Sequence, residues 1–160
     1  VSFSPDARKV VFRSTTGNFP DPTGTGLDTI LVVDRATGQA RSIAPHGGLF
    51  PDWSPVANVI AFSGVDHKKE YIYLASSDGF GLRGTRLRGE GAQWSPDGRQ
   101  MTLAQFPPGT IQIARVRTGK TRTIARFDGQ ASAEAWSPDG KKLVGTTGVP
   151  GKIGICGYST

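Results

Sequence analysis

Apolar and polar residues alternate in short runs along this chain, and turn-forming residues cut every run. The stretch that begins at Ala92 shows the pattern most cleanly. Residues 92–95 read as a short strand, and Pro96-Asp97-Gly98 as the turn after it. Proline presets its own φ, and Asp-Gly tolerates the positive φ of a tight hairpin. Residues 100–105 alternate as a second strand, which Phe106-Pro107-Pro108-Gly109 ends. Residues 111–116 form a third, with Ile111 and Ile113 on one face. Arg117-Thr118-Gly119-Lys120 turns the chain, and 121–125 is the fourth strand. Four short antiparallel strands joined by tight turns make a propeller blade.

The same order recurs. FSPDARKVVF starts at Phe3, WSPVANVIAF at Trp53, WSPDGRQMTL at Trp94 and WSPDGKKLVG at Trp136. A unit repeating about every 40 residues signals a solenoid or a propeller. The other copies are expected to place strands at 10–13, 29–34 and 40–43, at 59–63, 71–75 and 84–87, and at 142–146 and 153–156. The last copy lacks a fourth strand. The expected fold is all-β: one partial β-propeller spanning 1–160, with blades near 1–44, 45–88, 89–126 and 127–160.

All three tryptophans, Trp53, Trp94 and Trp136, fall at one repeat position, and Phe3 holds the fourth. A large flat ring at the end of a short strand fills the wedge between neighbouring sheets and buries about 150–250 Å². The four rings are therefore expected to be structural anchors. Asp6, Asp97 and Asp139 belong to turns, not to catalysis or calcium binding.

The phrase W-S-P-D-G-[KR]-x-apolar, followed by a strand that ends near a T-G or D-G turn, resembles the WD-repeat-like propeller repeat of the TolB-like family. The same repeat occurs in the propeller domains of prolyl-oligopeptidase-type and tricorn-type peptidases. Residues 94–99 and 136–141 match it fully; the first copy has Phe3 for Trp and Ala7 for Gly. The second departs most, with Pro55-Val56-Ala57-Asn58 in place of Pro-Asp-Gly-Lys. The resemblance implies the fold and, less directly, a periplasmic or extracellular setting; the compartment is otherwise unknown.

Composition agrees with an all-β chain rich in turns: 22 glycines and 11 prolines among 160 residues, with 36% apolar. Cys156 is the single cysteine, so no internal disulfide forms. No apolar run approaches the roughly 18 residues of a membrane span. The net charge of +6 fits a basic surface; an anionic partner is the sharper alternative. Arg83, Arg86 and Arg88, then Arg115, Arg117, Lys120, Arg122 and Arg126, cluster without interleaved aromatic residues. Nucleic-acid binding is not expected on that pattern. A charged rim that discourages edge-to-edge aggregation is.

A blade meander puts alternate turns on opposite faces. The Ser-Pro-Asp-Gly and Thr-Gly turns share one; the second-to-third-strand loops and the crossovers between blades share the other. Nearly all the irregular sequence lies on that second face, at 17–26, 45–50, 64–70, 88–90 and 147–151. Irregular loops on a rigid scaffold are the usual place for binding. His46, Asp52, Asp66, His67, Lys68 and Lys69 are the candidate partner-binding residues there. Two histidines without a fixed spacing do not make a metal site. Relatives that degrade acidic sugars hold a metal with several histidines, by the same resemblance. No catalytic residue, metal or cofactor is expected. Nothing resembles a Gly-x-Ser-x-Gly nucleophile elbow, and Thr23-Gly24-Thr25-Gly26 lacks the lysine and helix of a phosphate loop.

The leading expectation is a non-catalytic propeller that binds a protein or peptide. The alternatives are a substrate-gating propeller of a serine peptidase and, behind it, a sugar-acid lyase-type channel enzyme. Four blades in a row leave two flat apolar faces uncovered. Three completions are open: a longer propeller, pairing with another copy as a homo-oligomer, or a four-bladed ring. The start inside a repeat and the missing last strand favour the first.

Overall fold

The computed structural model describes residues 1–14, 29–44, 48–66, 69–107, 109–149 and 152–160. The described residues form no helix and fifteen strands in four antiparallel sheets. The first sheet holds β1 (Ser2–Phe3), β2 (Lys9–Ser14), β3 (Thr29–Asp34) and β4 (Ala40–Ser42). The second holds β5 (Leu49–Trp53), β6 (Ile60–Asp66), β7 (Lys69–Ala75) and β8 (Arg83–Arg88). The third holds β9 (Glu90–Trp94), β10 (Gln100–Gln105), β11 (Gly109–Arg115) and β12 (Thr121–Phe127). The fourth has three strands: β13 (Gln130–Trp136), β14 (Lys142–Val149) and β15 (Lys152–Ser159). Strand order follows chain order in every sheet, so each is a simple meander. The first strands of successive sheets pack side by side, and the four sheets do not close into a ring.

Alternation along a strand buries both of its faces. Ile60 and Phe62 of β6 join Val11, Ile30, Val32 and Ile43 of the first sheet in one core. Ala61, between them, points the other way and joins Trp94, Met101 and Leu103 of the third sheet in the next. A third core ties Ala104 and Ile111 to Ala133 of the fourth sheet. Each interface is thus a layer of apolar side chains, the usual way sheets cover one another.

The Ser-Pro-Asp-Gly turns share one hydrogen-bond scheme. In the third copy the Ser95 hydroxyl donates to Asp97 Oδ1 at 2.6 Å, and Asp97 Oδ1 also accepts the Arg99 N–H at 3.0 Å. The Gln100 N–H returns to Ser95 Oγ at 2.9 Å. The first and fourth copies repeat it through Ser4 with Asp6 and Ser137 with Asp139. These bonds favour the charged carboxylate, so Asp6, Asp97 and Asp139 titrate below the usual range, with the serine bond as the main cause. The second copy has Val56 where the others have Asp, and the Val56 N–H reaches Ser54 Oγ only at 3.4 Å.

Several strands run longer than the sequence suggests. β6 and β7 stay paired as far as Asp66 opposite Lys69, so most of 64–70 is hairpin ladder instead of loop. β14 and β15 likewise pair out to Val149 opposite Lys152. Backbone pairing extends a hairpin wherever its residues tolerate extended φ and ψ, and glycines such as Gly64 and Gly148 do not forbid it. The anchors also divide. Trp53 and Trp94 are buried and Trp136 is half-buried, but Phe3 is 54% exposed. The expectation that Phe3 fills a wedge is corrected. No described sheet lies in front of the first one, and the Phe3 ring instead lies 5.7 Å from the Arg35 guanidinium.

Candidate interaction face

The sheet meander sends the β6–β7 and β10–β11 hairpin ends, and the crossovers into β5, β9 and β13, to one face. The expected binding residues are distributed as follows. His46, His67 and Lys68 lie outside the described residues. The backbones of Asp66 and Lys69 face each other as the last pair of the β6–β7 hairpin, and Lys69 is exposed. Asp52 sits one residue before the Trp53 anchor on β5.

Asp52 is a clasp between sheets. Its Oδ2 accepts the Trp94 N–H at 2.7 Å, and its carbonyl accepts Trp94 Nε1–H at 3.2 Å. Burial of the carboxyl is the main cause that raises its pKa; the bonds from Trp94, Ser2 and Trp53 oppose that shift. The same repeat position acts at the other interfaces. Ser2 Oγ accepts the Trp53 N–H at 3.0 Å, and the Gln93 carbonyl accepts Trp136 Nε1–H at 3.1 Å. Trp53 Nε1 is buried without a hydrogen-bond partner, the exception in this series. Sequence reasoning missed this clasp, although the signal was present: a polar residue precedes the aromatic anchor in the first three copies.

Sequence reasoning also missed Phe50. Its φ is +51°, the left-handed region that a bulky side chain seldom occupies. The residue at the same distance before Trp94 is Gly91, with φ +63°. Both lie where the first strand slips register against the second. This bulge re-aims the strand at its loop-face end. Phe50 stays 48% exposed in that conformation, so little packing compensates the backbone cost. Phe106, at the β10–β11 end of the same face, is 52% exposed.

Two carboxylates on this side interact. Glu90 opens β9 and titrates above its usual range, first through burial and then through the nearby charge of Glu70 on β7. Among the described residues no group of three His, Cys, Asp or Glu side chains gathers to hold a metal ion. No helix of the described residues is long and apolar enough to cross a membrane. Phe50 and Phe106 present exposed aromatic rings on this face, and Lys69 an exposed cation.

No family model matches the chain, and no curated protein does either. Solved structures do. TolB from Acinetobacter baumannii superposes with a TM-score of 0.76 at 21% identity, over 99% of this chain and 40% of that one. A putative TolB from Agrobacterium tumefaciens gives 0.80 at 18% identity, over 99% of this chain and 60% of that one. The β-propeller domain of the Trilobed protease from Pyrococcus furiosus gives 0.63 at 16% identity, over 96% of this chain and 52% of that one. The chain thus spans less than two thirds of the length of each of these neighbours. At these identities the likeness speaks for the fold, and the fold is that of a TolB-like β-propeller, present here as four successive sheets.

Proposed function

We propose that this propeller is a non-catalytic scaffold that binds a protein or peptide through its loop face. Each sheet is one blade in this reading, with bounds near 1–44, 45–88, 89–126 and 127–160. The observation that carries it is Phe50, a half-exposed aromatic ring held in a costly backbone conformation on the innermost strand. Strain of this kind persists at sites where a side chain must be presented. Exposed aromatic rings on rigid strands are the usual anchors of protein recognition. Phe106 and Lys69 extend the surface outward, and His46, Asp66, His67 and Lys68 are proposed as further partner-binding residues. Asp52 serves that face from beneath by fixing the inner strand.

The test is site-specific photo-crosslinking in the full-length protein. A crosslinker at Phe106 or Lys69 is expected to capture a partner that one at Arg41, on the first sheet's outer strand, does not. Capture of equal yield from all three positions would remove the reading. A second reading, a substrate-gating propeller of a serine peptidase, draws on the likeness to the protease propeller domain. An α/β-hydrolase domain in the same reading frame would support it.

A further inference from the structure

The turn face, opposite the loop face, changes character at the second sheet. The other copies pair an acid with a base in the first turn: Asp6 with Arg8, Asp97 with Arg99 and Asp139 with Lys141. The β5–β6 turn has Val56 and Asn58 at those positions. The β7–β8 turn, residues 76–82, is also longer than the β3–β4 turn at 35–39 and the β11–β12 turn at 116–120, and it ends in Phe80-Gly81-Leu82. Both changes put apolar side chains in water: Phe80 is 75% exposed, Val56 63% and Leu82 43%. The two turns are joined, because Asn58 Oδ1 accepts the Ser77 N–H at 3.3 Å. In the other copies the matching N–H, of Arg35, Val116 or Thr160, goes to the backbone carbonyl of the basic residue.

Hydrogen bonds fix the shape of the longer turn. The Phe80 carbonyl accepts the Ser76 N–H at 3.0 Å and the Ser76 hydroxyl at 2.9 Å, and Asp78 Oδ1 accepts the Phe80 N–H at 3.1 Å. Gly79 and Gly81 flank Phe80 with φ of +82° and +66°, values that a side chain would resist. The tip stands clear: a Cβ added at Gly81 would meet nothing within 4 Å. Its surroundings are basic. Lys9 Nζ donates to Ser77 Oγ at 3.4 Å, an Arg41 N–H donates to the Asp78 carbonyl at 3.3 Å, and Arg83, next to Leu82, is exposed. Asp78 is the acid of the turn, and its carboxylate is already engaged by the Ser76 hydroxyl and the Phe80 N–H.

From this arrangement we infer that the turn face docks on an anionic lipid surface, with Phe80 and Leu82 entering the interface and Lys9, Arg41 and Arg83 meeting the headgroups. Attachment to a membrane surface grows with the apolar area that enters it and with the attraction between basic residues and anionic lipid. A fluid interface covers a protruding ring on every side, whereas a flat protein surface covers only part of it.

Flotation of the full-length protein with vesicles of phosphatidylcholine and phosphatidylglycerol in equal parts tests this. Binding is expected, weaker on pure phosphatidylcholine and falling as salt rises. Phe80→Ser with Leu82→Ser should weaken it about tenfold or more, as loss of that much apolar burial does. Phe106→Ser removes an exposed ring from the loop face and should leave vesicle binding unchanged. Phe80→Trp keeps a ring suited to the interface and should bind at least as well as the parent, which decides the matter should the serine pair misfold. Equal losses from Phe106→Ser and the serine pair would reduce the effect to general adhesion and overturn the site. So would absence of vesicle binding, even if Phe80 governed self-association in sedimentation or the binding of an acidic Glu/Leu peptide. Those outcomes would assign the turn to a second copy of this chain or to a protein partner.

Discussion

Asp52 and Trp94 lock the second and third sheets together through two hydrogen bonds that Asp52 accepts, one from the tryptophan backbone N–H at 2.7 Å and one from its indole N–H at 3.2 Å. The bond from the indole reaches the Asp52 carbonyl and survives any side-chain change; the backbone bond depends on the carboxyl. Asp52→Ala should therefore leave a buried N–H unpaired and cost about 1–3 kcal/mol in urea denaturation. Asp52→Asn keeps an acceptor of the same shape and removes a partly buried charge, so it should lie within about 1 kcal/mol of the parent at neutral pH. An asparagine variant as unstable as the alanine one would mean that the charge, not the acceptor, holds the interface.

The carboxylates pull stability in opposite directions as pH changes. Asp52 and Glu90 titrate above their usual ranges, so their contribution improves as pH falls through their folded pKa values toward the unfolded ones. Asp6, Asp97 and Asp139 titrate below the usual range, so their contribution is present above the unfolded pKa and is lost as pH falls through the folded one. Thermal midpoints should thus hold or rise on mild acidification and then drop at lower pH. In Asp52→Asn the early rise should shrink. An unchanged rise in that variant would move its origin to Glu90.

The two kinds of anchor should separate cleanly by mutation. Trp94 is 8% exposed in the second interface, and Trp94→Ala should cost about 3–5 kcal/mol. Phe3 is 54% exposed, and Phe3→Ala should change stability by no more than about 0.5 kcal/mol. Chemical denaturation of both variants checks this, and a large loss from Phe3→Ala would show that its ring is covered in solution.

The bulge of the first strand makes a prediction in two parts. At Gly91 an added Cβ meets nothing within 4 Å, so Gly91→Ala isolates the left-handed backbone cost of about 1–2 kcal/mol. Phe50→Gly reverses that cost, offset in part by the greater freedom of glycine in the unfolded chain. It should leave the protein as stable as the parent or up to about 1 kcal/mol more so. A marked loss of stability would mean that the Phe50 ring packs after all, and its role as a displayed group would fall.

Gly98 offers a harder case of the same backbone. Its φ is +66°, and an added Cβ would collide with Val56 on the neighbouring sheet's turn. Gly98→Ala should therefore cost more than Gly91→Ala in the same denaturation assay. Val56→Ala combined with Gly98→Ala should recover part of the difference, because it removes the atom in the way.

Local chemistry determined where most strands and turns lie and that they repeat, but not how far the β6–β7 and β14–β15 hairpins extend. Alternation marked β10 and β11, and Ser-Pro-Asp-Gly marked the turns, because a hairpin's φ and ψ demands fall on a few adjacent residues. Which partner each side chain meets was decided only when the sheets stacked. Phe3 and Trp53 occupy one repeat position, yet the first is exposed and the second buried, since burial depends on the sheet in front. Asp52 read as a loop-face acid and became an intersheet clasp, because its acceptor role needs Trp94, far away in the chain.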